Sequence, residues 1–343
     1  MTACENPRIG VLLANTGTPK SPEPRDVRRY LGRFLMDERI RPMAKAPWWL
    51  ILHLFILPTR SVKSGRKYGK IWTEDGSPFD VEHAKLRNLL EQRLQGDGMD
   101  ARVQVGQSYG EDSVQDALAA LREQGCTQVV VLPLYPQSAH STTLSVKDSV
   151  AAAMTELSWQ APVAFVDSYG MDSAYIDAIA QTVSAAGFNA QAGDRLLFNY
   201  HSIPIKDIDQ GDTYEPQTSA TALAVAGKLR LDRTQWTIGY NCRFDKSREW
   251  LQPFTRGVLE RWARARQGRV FMVCPNFAVD CLETLYDIDY ELAPWYRQAV
   301  EEAGRSYVGS ELVYVPCLNG TPMHASVLAH VLAPYLTGKD HHE

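Results

Sequence analysis

Short β-branched and aliphatic runs recur along the chain at residues 9–14, 103–107, 128–134, 163–166, 196–200, 236–240, 269–273 and 312–315, separated by stretches with helical spacing. Several are apolar at successive positions, the pattern of a parallel strand covered on both faces rather than the alternation of a half-exposed one. Strand–helix alternation over the whole length predicts an α/β chain with right-handed crossovers. Four runs fall before about residue 167 and four after it, so the expected organisation is two doubly wound lobes, each with a parallel four-stranded sheet. The lobes are alike in element order only.

Two stretches interrupt this pattern. Residues 46–58 form the longest apolar run, about half of what a helix needs to span a bilayer and yet too apolar all round for an ordinary surface helix. It is either a buried core helix or an exposed lip that meets a membrane or a large flat ligand. Arg60, Lys63, Arg66, Lys67 and Lys70 follow it, and cations beside an apolar patch suit anionic head groups or the carboxylates of an amphipathic ligand. The second stretch, 275–291, reads as a helix with Glu283, Asp287 and Glu291 at i, i+4 and i+8 and no Lys or Arg before Tyr296. Such acids repel by a few tenths of a kcal/mol per pair, about 0.2–0.5. They are either a solvated face or, given the interleaved Leu282, Leu285, Tyr286, Ile288 and Tyr290, a half-buried stripe that passes a cation or protons.

Composition narrows the classes. With 343 residues the chain can hold two domains, and 45% hydrophobic and 22% charged residues are ordinary for a soluble globular protein. A formal net charge of -4 gives no basic field for nucleic acid. Cys4, Cys126, Cys242, Cys274, Cys281 and Cys317 are scattered without a Cys-x-x-Cys pair, which fits a reducing cytoplasm and supports neither a disulfide framework nor a zinc or iron–sulfur site. The first residues are polar and run straight into a strand, so no secretory signal is expected.

In doubly wound folds ligands sit beyond the carboxyl ends of the strands. Those positions hold Asn15 to Pro19, Tyr135 to Thr143, His201 to Pro204, Asn241 to Phe244 and the acidic stretch. Gly-x-Gly-x-x-Gly, Walker and Gly-x-Ser-x-Gly signatures are missing there, which removes dinucleotide, P-loop and α/β-hydrolase chemistry. His201 ends an apolar strand, where a histidine is commonly a hydrogen-bonded structural residue. Facing a carboxylate such as Glu283, it could instead hold a borderline divalent metal or accept protons from a substrate N–H.

At these residues the chain resembles the ferrochelatases, which insert ferrous iron into a porphyrin. The resemblance runs from about Ile9 to Thr321. It is carried by residues 12–19 (LLANTGTP), 29–31 (RYL) with 34–37 (FLMD), Tyr68 with 71–73 (IWT) and 76–78 (GSP), 132–137 (LPLYPQ) with 141–143 (STT), 200–204 (YHSIP), 250–253 (WLQP), 280–285 (DCLETL) and 316–319 (PCLN). It implies a chelatase-like fold of two Rossmann-like lobes with a ligand cleft between them: 7–160 including a porphyrin lip at about 46–78, 161–318 with the His/Glu site, and 319–343 as a C-terminal helix and tail packing back on the first lobe.

By motif, His201 is similar to the family's pocket histidine and Glu283 to the acid across the macrocycle, the pair that would meet the metal. Asp287 and Glu291 resemble the line of acids leading away from them. Thr16, Arg60, Tyr68, Ser77, Tyr135 and Trp250 resemble porphyrin contacts. The resemblance implies Fe²⁺ as a substrate, protoporphyrin IX rather than coproporphyrin III as its acceptor, no organic cofactor, and a cytoplasmic enzyme with weak peripheral membrane contact. Another metal or tetrapyrrole, or a non-catalytic haem or metal carrier, are the alternatives. Three departures touch the pocket: Ser138-Ala139-His140 after LPLYPQ, Asn241-Cys242-Arg243-Phe244 where the family has Gln-Ser-Arg-Phe, and Glu249 before Trp250. Members with a 2Fe–2S cluster commonly end in a Cys-rich extension, whereas this sequence ends Gly338-Lys339-Asp340-His341-His342-Glu343, so no cluster is expected.

Overall fold

A computed structural model describes residues 8–245, 247–265 and 268–336; Cys4 and the tail beyond Leu336 lie outside the described residues. The chain divides into two compact units, one holding the residues up to Ser168 and again those from Gly320, the other Tyr169–Asn319.

The first unit contains β1 (Ile9–Asn15), α1 (Pro24–Met36), α2 (Lys45–Ile51), α3 (Leu57–Ile71), α4 (Pro78–Gly96), β2 (Ala101–Gln107), α5 (Val114–Glu123), β3 (Gln128–Pro133), α6 (Ser145–Glu156) and β4 (Val163–Phe165). Its sheet is parallel, in the order β2-β1-β3-β4. Every residue of the central β1 is buried, as its unbroken apolar run requires. Leu12, Leu118, Leu121, Val131 and Val146 form the core that joins this sheet to α5 and α6. Each such side chain contributes about 1.5–3 kcal/mol by leaving water.

The second unit contains α7 (Ser173–Ala185), β5 (Arg195–His201), α8 (Ile205–Asp209), α9 (Tyr214–Lys228), β6 (Trp236–Asn241), α10 (Thr255–Ala265), β7 (Val270–Val273), α11 (Ala293–Glu302) and β8 (Leu312–Val315). Its parallel sheet runs β6-β5-β7-β8, and Leu197, Leu259, Val270, Met272, Ile288 and Tyr296 fill one side of it. The last described element is α12 (Pro322–Leu336), which packs on α4 and β3 of the first unit.

All eight expected strands form, and the largest shift of an end is at β2, which starts at Ala101. Two expectations change, and one of the two readings of the apolar run falls away. The division falls after Ser168 instead of 160, because β4 pairs with β3 and so belongs to the first sheet. The apolar run is no buried helix: α2, a π-helical turn at Leu52–Ile56 and the start of α3 bury only Leu52 and Leu57, while Trp49, Leu54 and Phe55 are 47%, 61% and 70% exposed. The acidic helix begins at Leu282 instead of 275, and it is a π-helix over Leu282–Leu292 that continues into α11. Residues 275–281 are held as turns and extended chain, with the Phe277 N–H on the Cys274 carbonyl and the Asp280 side chain drawn to Asn319.

Candidate active site

In the second unit, three strand ends bring the chemistry together. His201 is the last residue of β5, in register with Asn241 at the end of β6, and the Leu282–Leu292 helix follows β7. The His201 Nδ1 lies 2.6 Å from the Ser202 carbonyl oxygen. A carbonyl only accepts, so Nδ1 carries the proton and Nε2 of the neutral ring is left with its lone pair. Burial lowers the pKa of His201, while the Glu283 carboxylate pulls the other way, which places that acid within electrostatic reach of the ring. Phe244 packs on His201 with ring centres 5.2 Å apart, and buried Trp250 meets Phe244 edge-on at 5.8 Å. Trp250 also bridges to Pro204 through the backbone.

The acidic helix is fixed at its start. Asp280 accepts from Tyr314 Oη, from Thr284 Oγ1 at 3.0 Å and from Asn319 Nδ2 at 2.7 Å, and Thr284 Oγ1 in turn takes the Cys281 N–H at 2.9 Å. This reciprocal cap sets where the helix begins and so where Glu283 stands. A π-helix closes i→i+5 bonds and has more than the roughly 3.6 residues per turn of an α-helix. Residues four apart then fall short of a turn instead of past it, so the stripe of acids drifts slowly the other way around the helix. Glu283 and Asp287 are half-buried and Glu291 is exposed, so the stripe runs from the interior to water.

Cys242, which sequence reasoning noted only as a departure, joins this group. It follows β6 with φ 64, in the left-handed region that a non-glycine residue seldom occupies, and its thiol donates to Asp287 Oδ2 at 3.3 Å. Burial first, then Asp287 and Glu283, push the thiol pKa well up, so it stays a donor. Among the described residues no group of three or more His, Cys, Asp or Glu is arranged to hold a metal ion.

Of the expected porphyrin contacts of the first unit, Thr16, Tyr135 and Ser77 gather around the end of β1. The Thr16 N–H points at Tyr135 Oη (2.6 Å) and Asn15 Oδ1 (2.7 Å), and Thr18 Oγ1 is 3.3 Å from Ser77 Oγ. Tyr30 Oη on α1 caps the Gly17 carbonyl at 2.9 Å. Arg60 and Tyr68 stand two turns apart on α3, Arg60 half-buried and Tyr68 buried with its ring edge-on to Trp72. Asp80 and His83 are neighbours on α4, with His83 Nε2 3.4 Å from Asn15 Nδ2. Burial raises Asp80 to about 6, and burial lowers His83 to about 4.

A family model described as Ferrochelatase matches residues 8–335. The chain belongs to the ferrochelatase family. Among curated ferrochelatases it is 40% identical over 329 residues to that of Methylococcus capsulatus, covering 96% of this chain and 97% of the relative. With that of Nitrosococcus oceani it shares 37% over 331 residues, covering 96% and 88%. The fold is also similar to SirB from Bacillus subtilis, solved with Fe³⁺, at a TM-score of 0.54 and 10% identity over 76% of this chain and 92% of that one. The protein is thus a metal-chelating lyase of haem biosynthesis, with porphyrin and iron as its substrates. Among its described residues no helix is long and apolar enough to cross a membrane.

Proposed function

We propose that the enzyme inserts Fe²⁺ into protoporphyrin IX in preference to coproporphyrin III, with His201 and Glu283 at the reacting nitrogens. The reaction is a redox-neutral exchange: two pyrrole N–H bonds break, Fe–N bonds form, and the protons leave to bases. The observation that carries this reading is the His201 ring, whose Nδ1 is committed to a carbonyl, whose Nε2 keeps a lone pair, and which lies within electrostatic reach of the Glu283 carboxylate. Such a ring can take a pyrrole proton or ligate the arriving metal. Glu283 would be the second acceptor or ligand, and Asp287 and Glu291 would pass protons or cations along the stripe towards water.

Thr16, Arg60, Tyr68, Ser77, Tyr135 and Trp250 would hold the macrocycle, and binding energy spent on an apolar, aromatic surface can bend it out of plane. The exposed Trp49, Leu54 and Phe55 favour a porphyrin with fewer charged side groups, and they suit weak contact with lipid by a cytoplasmic enzyme. The metal is the substrate, and neither an organic cofactor nor a 2Fe–2S cluster enters the reading. Anaerobic incubation with Fe²⁺ and either protoporphyrin IX or coproporphyrin III, following loss of free-porphyrin fluorescence, tests it. Faster loss with protoporphyrin IX is expected; faster loss with coproporphyrin III reverses the assignment, and turnover with Co²⁺ alone refutes the iron reading.

A further inference from the structure

Gln107 is a buried polar residue at the end of β2, and its amide uses both ends. Nε2 donates to Asp80 Oδ1 at 2.7 Å, and Oε1 accepts the Thr18 N–H at 3.3 Å. These partners fix the amide orientation, since a carboxylate only accepts and a backbone N–H only donates. The side chain is wedged between two glycines. A Cβ at Gly17, whose φ is +98, or at Gly110 would collide with Gln107 Oε1. Around it the Ser108 and Tyr109 N–H groups reach the Asn15 and Thr16 carbonyls at 2.9 and 3.0 Å, so the loop after β1 is laced to the end of β2. Asp80 lies in the first turn of α4, three residues after Ser77, and Ser77 Oγ meets Thr18 Oγ1.

We propose that Gln107 is a positioning residue for the porphyrin, joining the 15–19 loop to the start of α4 so that Thr16 and Ser77 are held as one rigid contact surface. Gln107 acts through these residues and does not itself touch the macrocycle. The inference rests on the proposed porphyrin contacts of Thr16 and Ser77. Nothing in the sequence marks Gln107, because its importance lies in the two partners it joins from 27 and 89 residues away.

Porphyrin affinity by fluorescence titration, steady-state kinetics and melting temperature should be measured together. Gln107→Leu leaves a half-buried carboxylate and a buried N–H without their partner, and Gln107→Glu, nearly isosteric, sets two carboxylates against each other. Each should raise both the Kd and the KM for porphyrin about tenfold while kcat falls less than about threefold. The combination Gln107→Glu with Asp80→Asn reverses the bond: the carboxylate introduced at 107 accepts from the amide introduced at 80 and still takes the Thr18 N–H. Affinity should return to within about threefold of the wild type. If Gln107→Leu does not fold, Gln107→Glu and the paired variant decide alone. Unchanged Kd and KM in folded single variants, or no recovery in the pair, overturns the positioning role. Failure of the wild type itself to bind porphyrin would instead remove the reading on which it rests.

Discussion

Sheet order is the same in the two units, yet the strand ends are put to different uses. At the ends of β1 and β2 the polar groups are spent on one another: Gln107 on Asp80 and Thr18, Thr16 on Tyr135, Tyr30 on the Gly17 carbonyl. At the ends of β5 and β6 they are titratable groups, a histidine, two half-buried carboxylates and a thiol in one place. After the third strand each unit turns into a π-helix, His140–Leu144 in the first and Leu282–Leu292 in the second. Only the longer one carries acids. One architecture therefore carries two different strand-end networks, an amide-centred lattice in the first unit and a cluster of imidazole, carboxylates and thiol in the second.

Mutations should divide along that line. The largest effect is expected from His201→Ala, a loss of at least about a thousandfold in insertion rate with porphyrin affinity kept within about tenfold, read by single-turnover kinetics and fluorescence titration. More than half the wild-type rate would leave His201 as a structural residue. Next come the acids. Glu283→Gln should cost about a hundredfold, Asp287→Asn about tenfold and Glu291→Gln less, following their order from interior to water. If Asp287→Asn and Glu291→Gln leave the rate intact and raise the melting temperature, the stripe is only a repelling charged face.

In the first unit the effects should fall on porphyrin affinity, as for Gln107, and on stability and its pH dependence. Asp80 titrates near 6 in the fold against an ordinary 3.8, so between these values the native state holds more protons and stability falls as pH rises. His83 titrates near 4 against 6.5, so the unfolded state holds more protons and stability rises with pH over about the same interval. The slopes oppose, and Asp80→Asn should unmask the rising one while adding about 1 kcal/mol or more at pH 7. Denaturant titrations at pH 4.5, 5.5 and 7 (about these values) give the sign; a variant whose slope matches the wild type contradicts it. The smallest effect on folding belongs to the lip. Trp49→Ser with Phe55→Ser should change stability by less than about 1 kcal/mol, since both are largely exposed, while weakening liposome association and raising the porphyrin KM. Unfolding of this variant would make the segment part of the core.

Much of this was legible along the chain. A strand buried on both faces must be apolar throughout, so β1, β3, β5 and β7 are written as runs, and the residues that follow them are where a ligand is expected. His201, Glu283 and Asp287 were singled out that way, through position and residue type, and the fold brings them to one end of the second sheet. The start of the acidic helix was not, because the anchor at Asp280 depends on Tyr314 and Asn319, more than thirty residues later. The exposure of the lip was legible only as one of two readings: a run apolar all round has no periodicity to tell which side faces water, and that choice is made by what packs against Leu52 and Leu57.

The sequence by itself determined which segments become strands and which residue types stand at their ends, since burial pattern and strand termini are local properties of the chain. Only the tertiary structure decided which of those ends meet. That Cys242 donates to Asp287, that Gln107 joins Asp80 to Thr18, and that His201 keeps its Nε2 lone pair are contacts between residues distant in sequence or choices of hydrogen-bond partner. Their energies arise from desolvation and donor–acceptor geometry, quantities that exist only once the sheets are assembled.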